Sequence, residues 1–324
     1  MIVTAGIDIG GTETKIGFVN REGEVVAFTS FLTNPAAGFE AFFKNLKHEI
    51  SVMIENSQSS ISLAGMGIGA PSGSYKNGTI EDSSNLGWPE NLPVCDILEN
   101  HFQVPAIVSN DANAAAVGEM LYGSAKGVQN FICITLGTGL GSGIVANGKL
   151  LLGANGHAGE LGHTIAVHGG RECRCGKKGC LETYASATGL VRTVLESVQN
   201  GKSHPFLIPK KNGKLTAKMV TKAALAGDEM SIRAFEKTGE VLGKKLADTV
   251  ALLNPERIVL TGGLSRAGDL ILKPTKKHLN NNLLTVYRGS VDVTISEISN
   301  KKSAILGAAA TMWFKLGEVR EETI

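Results

Sequence analysis

Apolar positions along the chain recur with two periods, and segments of the two kinds alternate. Short runs rich in β-branched residues predict strands, and apolar residues spaced three or four apart predict amphipathic helices. The strands are predicted at residues 2–9, 15–19, 24–32, 62–70, 106–109, 130–136, 144–146, 257–260 and 292–298. The helices are predicted at residues 39–54, 93–102, 112–122, 183–199, 217–226, 228–253, 267–281 and 303–316. This alternation predicts the α/β class, in which ligands bind beyond the carboxyl ends of the strands.

Two predicted hairpins turn on glycine-rich tips. The tips contain Asp8, Gly10, Gly11 and Thr12 in the first hairpin and Gly137, Thr138 and Gly139 in the second. Glycines allow backbone N–H groups to approach an anion closely, although either tip alone could be only a tight turn. Two such hairpins in matching context indicate an internal duplication that grips phosphates. Neither run fits the G-x-x-x-x-G-K-[ST] pattern, so a P-loop is excluded.

A carboxylate and further glycines follow two other predicted strands. Asp111 stands at the end of the strand at 106–109 and the start of an alanine-rich helix. A carboxylate at this position can face a ligand cleft, and the alternative is that it only caps the helix. The strand at 257–260 runs into Gly262 and Gly263.

Three cysteines lie within eight residues, at Cys173, Cys175 and Cys180. Three thiolates and one imidazole would close a tetrahedral Zn²⁺ site, and a closed site predicts a structural metal rather than a catalytic one. The spacing leaves the imidazole open, because His157, His163 and His168 are all within reach. A disulfide or a set of reduced thiols is the alternative. The neighbouring cations, which we expect to offset the thiolate charge, are Arg171, Arg174, Lys177 and Lys178.

Composition narrows the classes of protein. The 324 residues fit two lobes, and we expect a small lobe at 1–112, onto which a helix at 303–318 packs back, and a large lobe at 113–302. A net charge of +2 gives no electrostatic case for nucleic acid or for a membrane surface. The long apolar run at 129–149 contains several glycines, which favours two strands over a transmembrane helix. The first residues lack the basic segment of a signal peptide, so we expect a cytoplasmic protein with reduced thiols.

Taken together, the motifs resemble the ROK family of sugar kinases, and within it bacterial glucokinases most. The resemblance covers nearly the whole chain. Its motifs are DIGGT (8–12), GAP (69–71), NLGW (85–88), NDAN (110–113), LGTGLGSG (136–143), GHAGELGH (156–163), CRCGKKGCLE (173–182) and LTGG (260–263). The resemblance implies the two-lobed sugar kinase and actin-like ATPase fold, which is ribonuclease H-like, with a structural zinc loop.

The same resemblance implies a role for each candidate residue. It selects His163 as the fourth zinc ligand, whose other ring nitrogen contacts the sugar. It assigns sugar hydroxyls to Asn110, Asp111, Glu160 and Glu182, and makes Asp111 the general base. Phosphates would lie on Gly10, Gly11, Thr12, Gly137, Thr138 and Gly139, the nucleoside near Gly262 and Gly263, and Mg²⁺ near Asp8.

The implied activity is phosphorylation of a hexose by ATP, glucose to glucose 6-phosphate above others. N-acetylmannosamine, N-acetylglucosamine or fructose are alternative substrates. Alternatives of another class are a ROK transcriptional regulator that senses sugar and a zinc-stapled module without catalysis. Regulators carry a helix-turn-helix segment ahead of DIGGT, and here the motif begins at Asp8, which favours the enzyme. The implied cofactors are ATP, Mg²⁺ and structural Zn²⁺, and the family resemblance implies a homodimer or higher homo-oligomer without nucleic acid or membrane partners.

Overall fold

The computed structural model of the protein describes residues 1–57, 61–83, 86–199, 214–299 and 302–321. Asn85, the first residue of the NLGW segment, lies outside them. The chain divides into two compact units. Unit 1 contains Met1–Gly127, Leu150–Ala158 and Glu297–Ile324, and unit 2 contains Val128–Lys149 and Gly159–Ser296. A boundary after residue 112 would cut a helix that begins at Asp111 and lies whole within unit 1.

The elements of unit 1 are β1 (Ile2–Ile9), β2 (Glu13–Val19), β3 (Val25–Leu32), α1 (Phe39–Glu55), β4 (Ser62–Gly69), β5 (Gly73–Ser74), β6 (Thr79–Ile80), α2 (Val94–Phe102), β7 (Ala106–Ser109), α3 (Asp111–Tyr122) and α8 (Ser303–Glu321). The unit is built on a five-stranded sheet of order β3-β2-β1-β4-β7. Strands β1, β4 and β7 are parallel, and β2 and β3 form an antiparallel meander beside β1. Helix α1 turns its apolar stripe, including Phe42, Leu46 and Ile50, into the core of this unit.

Helix α8 returns to unit 1 at the end of the chain and packs on β1 and β4. A Cβ at Gly67 would lie 1.8 Å from the Ala308 carbonyl oxygen, and one at Gly6 would lie 2.2 Å from that of Ile305. Only glycine allows the helix backbone to approach the sheet this closely. Its small-residue run, which includes Ala309 and Ala310, is fully buried.

The elements of the second sheet and its helices are β8 (Phe131–Leu136), β9 (Leu140–Ala146), β10 (Lys149–Leu150), α4 (Ala187–Gln199), α5 (Ala217–Leu225), α6 (Glu229–Leu253), β11 (Arg257–Thr261), α7 (Asp269–Asn282) and β12 (Asp292–Ile295). Unit 2 repeats the arrangement of unit 1 with a sheet of order β10-β9-β8-β11-β12. Strands β8 and β9 form an antiparallel hairpin, and β8, β11 and β12 are parallel. In each unit a hairpin therefore stands beside a parallel strand, as expected for a duplicated fold.

The structure corrects the predicted bounds in several places. Strand β9 begins at Leu140 rather than at residue 144, because Gly141 and Gly143 already pair with residues of β8. Helix α4 begins at Ala187 rather than at 183, because a 3₁₀ turn at Leu181–Thr183 precedes it. The two-residue strands β5, β6 and β10 were not predicted, since two residues carry no readable period. None of the described helices is both long and apolar enough to span a membrane.

Candidate active site and metal centre

The carboxyl ends of the parallel strands in unit 1 bring two acidic residues to one edge of the sheet. Asp8 on β1 pairs in register with Gly69 on β4, and Gly69 pairs with Ser109 on β7. Neighbouring strands are about 4.8 Å apart, so Asp8 and Ser109 lie about 10 Å apart. Asp111 follows Ser109 by two residues, and this edge is where α/β proteins bind ligands.

Asn110, and not Asp111, caps helix α3. Its Oδ1 accepts a hydrogen bond of 2.7 Å from the Asn113 backbone N–H. This is the usual geometry of an asparagine N-cap. Asp111 is the first helical residue and its side chain is exposed, so the alternative that it serves only as a cap is wrong. Because the Asn110 oxygen is used in the cap, its amide N–H groups are the part left to donate to a ligand.

The carboxyl groups of Asp111 and Asp8 are both harder to ionise than usual. Although solvent reaches Asp111, the protein surrounding it desolvates the carboxylate and raises its pKa, against backbone N–H donors that lower it. Burial is also the main cause of the raised pKa of Asp8. The positive charge of Lys15 lowers this pKa, and the negative charge of Asp111 raises it further. Two carboxylates that resist ionisation at one sheet edge are typical of a functional site.

The first glycine tip lies at the same edge, between β1 and β2. The Gly10 N–H donates to the Glu13 carbonyl at 3.2 Å. Thr33, which is 2% exposed, donates its hydroxyl to the Gly10 carbonyl at 2.6 Å and its N–H to the Thr12 carbonyl at 3.0 Å. The backbone of this tip is therefore held from the β3 side of the sheet.

In unit 2 the second glycine tip and the glycines after β11 meet at the carboxyl ends of β8 and β11. Thr261 pairs with Thr135, so Gly262 lies beside Leu136, immediately before the tip. Gly262 has a φ of 91°, and a Cβ there would lie within 2.9 Å of three Leu136 backbone atoms. Only glycine fits. The predicted phosphate and nucleoside glycines of this unit are thus neighbours in space.

The three clustered cysteines come together with His163 and not with His157 or His168. One ligand atom from each of His163, Cys173, Cys175 and Cys180 lies within 4.8 Å of the others. The His163 Nδ1 is 3.6 Å from the Cys173 Sγ, and the Cys175 and Cys180 sulfurs are 3.5 Å apart. Zn–S bonds of about 2.3 Å and Zn–N bonds of about 2.0 Å in a tetrahedron require separations of roughly 3.5–3.8 Å. The donor set and its spacing therefore fit zinc.

The cysteines form no disulfide with one another, and all five lie in the described part of the chain. Burial raises the pKa of the Cys173 thiol to about 12, whereas the Lys177 backbone N–H lowers the pKa of Cys175. A cation that binds here must displace the Cys173 proton. Cys95, which lies outside this cluster, is buried, and burial raises its pKa to about 12 as well.

The predicted sugar ligands of unit 2 surround the His163 ring. The Nε2 is 4.0 Å from a Glu160 carboxylate oxygen, and the Nδ1 is 3.7 Å from a Glu182 oxygen. Glu182 also accepts a 3.1 Å hydrogen bond from the Cys173 thiol and lies against Gly139, where a Cβ would be 2.6 Å from its Oε2. Glu182 therefore touches both the metal cluster and the second glycine tip. A cavity of about 260 Å³ lies beside it, lined by residues that include Thr138, Gly139 and Thr188.

Arg171 holds the metal loop against α4, a role that no sequence pattern indicates. Its side chain is 7% exposed, lies 4.4 Å over the Tyr184 ring and pairs with Glu196 at 2.6 Å. It also donates to the Thr183 carbonyl at 2.6 Å and to the Gly189 carbonyl at 3.1 Å. The guanidinium of Arg171 is thus bonded to groups of the loop and of α4, and the expectation that its charge offsets the thiolates stays a prediction. A buried arginine cannot be told from a solvated one by spacing alone.

Comparison with known proteins identifies the family. A family model described as the ROK family matches residues 4–314. The glucokinase of Halalkalibacterium halodurans is 41% identical over 306 residues, which are 93% of this chain and 92% of that protein. The xylose repressor of Caldicellulosiruptor bescii is 30% identical, and the match covers 94% of this chain and 76% of the repressor.

A solved structure supports the same assignment. The crystal structure of a ROK-family glucokinase from Streptomyces griseus, in complex with glucose and AMPPNP, is 33% identical with a TM-score of 0.78. The match covers 95% of this chain and 98% of that one. The predicted sugar kinase and actin-like ATPase fold class is thereby confirmed. The protein belongs to the ROK family.

Proposed function

We propose that this protein is an ATP-dependent glucokinase, which transfers the γ-phosphoryl group of ATP to glucose and releases glucose 6-phosphate and ADP. The observation that carries the proposal is the 41% identity to a glucokinase along nearly the full length of both proteins. The relationship to a repressor is weaker, at 30% identity, and extends over a smaller part of that protein. An exposed carboxylate just beyond the carboxyl ends of the parallel strands β1, β4 and β7 supports catalysis as well.

Asp111 is the proposed general base. Its carboxylate would accept the proton of the sugar's primary hydroxyl as the hydroxyl oxygen bonds to the γ-phosphorus and ADP leaves. Burial raises the pKa of Asp111, which strengthens it as a base while solvent still reaches it. Asn110 is oriented by its cap bond to Asn113 and would donate an amide N–H to a neighbouring sugar hydroxyl.

Glu160, His163 and Glu182 are the proposed sugar ligands of unit 2. Carboxylates accept hydrogen bonds from sugar hydroxyls, and the Nε2 of His163 faces Glu160 while its Nδ1 faces the cysteines. Zinc, when bound to His163, Cys173, Cys175 and Cys180, would fix the imidazole tautomer and brace the loop. The metal role is structural, because four protein donors leave no open position.

The glycine tips are the proposed phosphate sites. The tips formed by Gly10, Gly11 and Thr12 in unit 1 and by Gly137, Thr138 and Gly139 in unit 2 would hold the phosphates of ATP. The donors would be the N–H groups of Gly11, Thr12, Thr138 and Gly139, because those of Gly10 and Gly137 bond within their own hairpins. Gly262 and Gly263 would approach the nucleoside. Mg²⁺, when bound, would neutralise phosphate charge. Asp8 fits a role near this ion, through water, because its carboxylate oxygens are hard donors and a cation would relieve the repulsion from Asp111.

The test is ADP release from ATP in the presence of a panel of hexoses. We expect glucose to give the highest kcat/KM. A higher value with N-acetylmannosamine, N-acetylglucosamine or fructose would keep the kinase and change its substrate. Glucose binding in calorimetry without ADP release from any sugar would refute the kinase and favour a sugar-sensing regulator. The assembly into a homo-oligomer and the cytoplasmic location stay predictions, which size-exclusion chromatography with light scattering and cell fractionation would check.

A further inference from the structure

The second glycine tip has all of its carbonyl groups occupied and two of its N–H groups left over. The Gly137 carbonyl accepts from the Ala187 N–H at 2.9 Å, the Thr138 carbonyl from the Thr188 hydroxyl at 2.7 Å, and the Gly139 carbonyl from the Gly137 N–H at 3.0 Å. Within the described part of the chain, the N–H groups of Thr138 and Gly139 donate to no protein acceptor. A turn with satisfied acceptors and free donors suits an anion.

The occupied carbonyls also set the direction of the free donors. In a trans peptide the C=O and the next N–H point in opposite directions within one plane. The described residues contain no cis peptide bond. Because Ala187 and Thr188 hold the carbonyls of Gly137 and Thr138, the N–H groups of Thr138 and Gly139 point away from the start of α4.

The first glycine tip is held by the same device in unit 1. Thr33 donates its hydroxyl to the Gly10 carbonyl and its N–H to the Thr12 carbonyl. The bond to Gly10 fixes the peptide plane that carries the Gly11 N–H. Within the described chain, the Gly11 and Thr12 N–H groups find no protein acceptor either. A threonine hydroxyl from outside the tip thus fixes a tip carbonyl in each unit.

We propose that Thr33 and Thr188 are positioning residues for nucleotide binding, each of which orients the backbone N–H groups of one glycine tip toward the phosphates. The proposal rests on the proposed role of both tips as phosphate sites. Neither threonine belongs to a motif by which the family was recognised, and both act through the backbone rather than by touching the nucleotide.

The test compares hydroxyl removal with hydroxyl retention at the two positions. Thr188→Val keeps the shape and loses the bond to Thr138, and we expect it to raise the KM for ATP about tenfold. The KM for glucose should change by no more than about twofold, because the Thr188 hydroxyl bonds to the Thr138 carbonyl and to the Ser186 hydroxyl and not to the Glu182 carboxylate. Thr188→Ser keeps the hydroxyl and should restore the KM for ATP. Thr33→Val and Thr33→Ser should show the same pattern.

The matched control is Thr221→Val, which removes a hydroxyl bonded to the Ala217 carbonyl within α5 at 2.9 Å. It should leave both KM values unchanged. Thr33 is buried and also contacts the Thr14 hydroxyl at 2.9 Å, so Thr33→Val can fail to fold. In that case Thr188→Val decides the test, because Thr188 is exposed.

Direct ATP titration by calorimetry, without sugar, separates the two levels of proposal. Unchanged ATP affinity in Thr188→Val, or an equal loss of ATP and glucose affinity, would overturn the positioning role alone. Wild-type protein that binds ATP but phosphorylates no hexose would refute the proposed function. The positioning role would then be judged from the ATP affinities of the wild type and Thr188→Val. Wild-type protein that binds no ATP would overturn both.

Discussion

Replacing Arg171 by methionine should strongly destabilise the part of unit 2 that carries the metal loop. The Arg171 side chain is 7% exposed. Methionine keeps most of its apolar stem and removes the guanidinium, which donates to the Thr183 and Gly189 carbonyls, the Thr193 hydroxyl and Glu196. The substitution therefore removes the charged donor of both carbonyls, although the Gly189 carbonyl keeps a hydrogen bond of 3.0 Å from the Thr193 hydroxyl.

The magnitude follows from which of these partners are buried. Each buried carbonyl that loses a charged donor costs about 1–3 kcal/mol, and the loss of the stacking on Tyr184 costs about 1 kcal/mol. The pair with Glu196 adds little, because 44% of that side chain is exposed and water screens it. We expect a total loss of about 3–5 kcal/mol, below the simple sum because the site relaxes.

The matched control is Arg192→Met, which removes another arginine from the same carboxylate. Arg192 is 44% exposed and pairs with Glu196 at 3.1 Å, so its removal should cost about 0.5 kcal/mol. Urea unfolding by far-UV circular dichroism gives the global free energy, and native-state hydrogen exchange of peptides from 171–190 gives the local one. Equal effects below about 1 kcal/mol for the two variants would refute the reasoning.

Four further outcomes follow from the site. Asp111→Asn should leave glucose binding largely intact and lower kcat by orders of magnitude, as steady-state kinetics will measure; a kcat near wild type would remove Asp111 as the base. The kcat/KM of the wild type should fall as pH falls through the raised pKa of Asp111. The free energy of unfolding should change with pH in the opposite sense. The folded state binds the Asp111 proton more tightly than the unfolded chain does, so ionising this carboxyl lowers stability as pH rises through the folded pKa. This loss of stability should vanish in Asp111→Asn. Cys175→Ser should release zinc and weaken glucose binding more than ATP binding, and an active wild type free of zinc by metal analysis would contradict this.

Much of the fold was readable because its signals are local. The β-branched runs and helical stripes predicted most strands and helices close to their observed bounds, as at β1 and α1. The glycine tips and the three cysteines were visible because each needs a particular residue type: a close backbone approach requires glycine, and a zinc site requires thiolates. Short strands such as β10 could not be predicted, because their pairing with a neighbouring strand, and not their own sequence, makes them strands.

The sequence by itself determined the α/β class, the two glycine tips and the thiolate cluster, because each depends on residue type and spacing within a few positions. Only the tertiary structure decided that Arg171 is buried against α4, that Asn110 rather than Asp111 caps α3, and that Thr33 and Thr188 hold the tips. It also brings His163 rather than its neighbours to the cysteines, in agreement with the family resemblance. Apart from the Asn110 cap, whose partner Asn113 is three residues away, these contacts join residues that lie far apart along the chain, and burial and hydrogen bonding between them fix their roles.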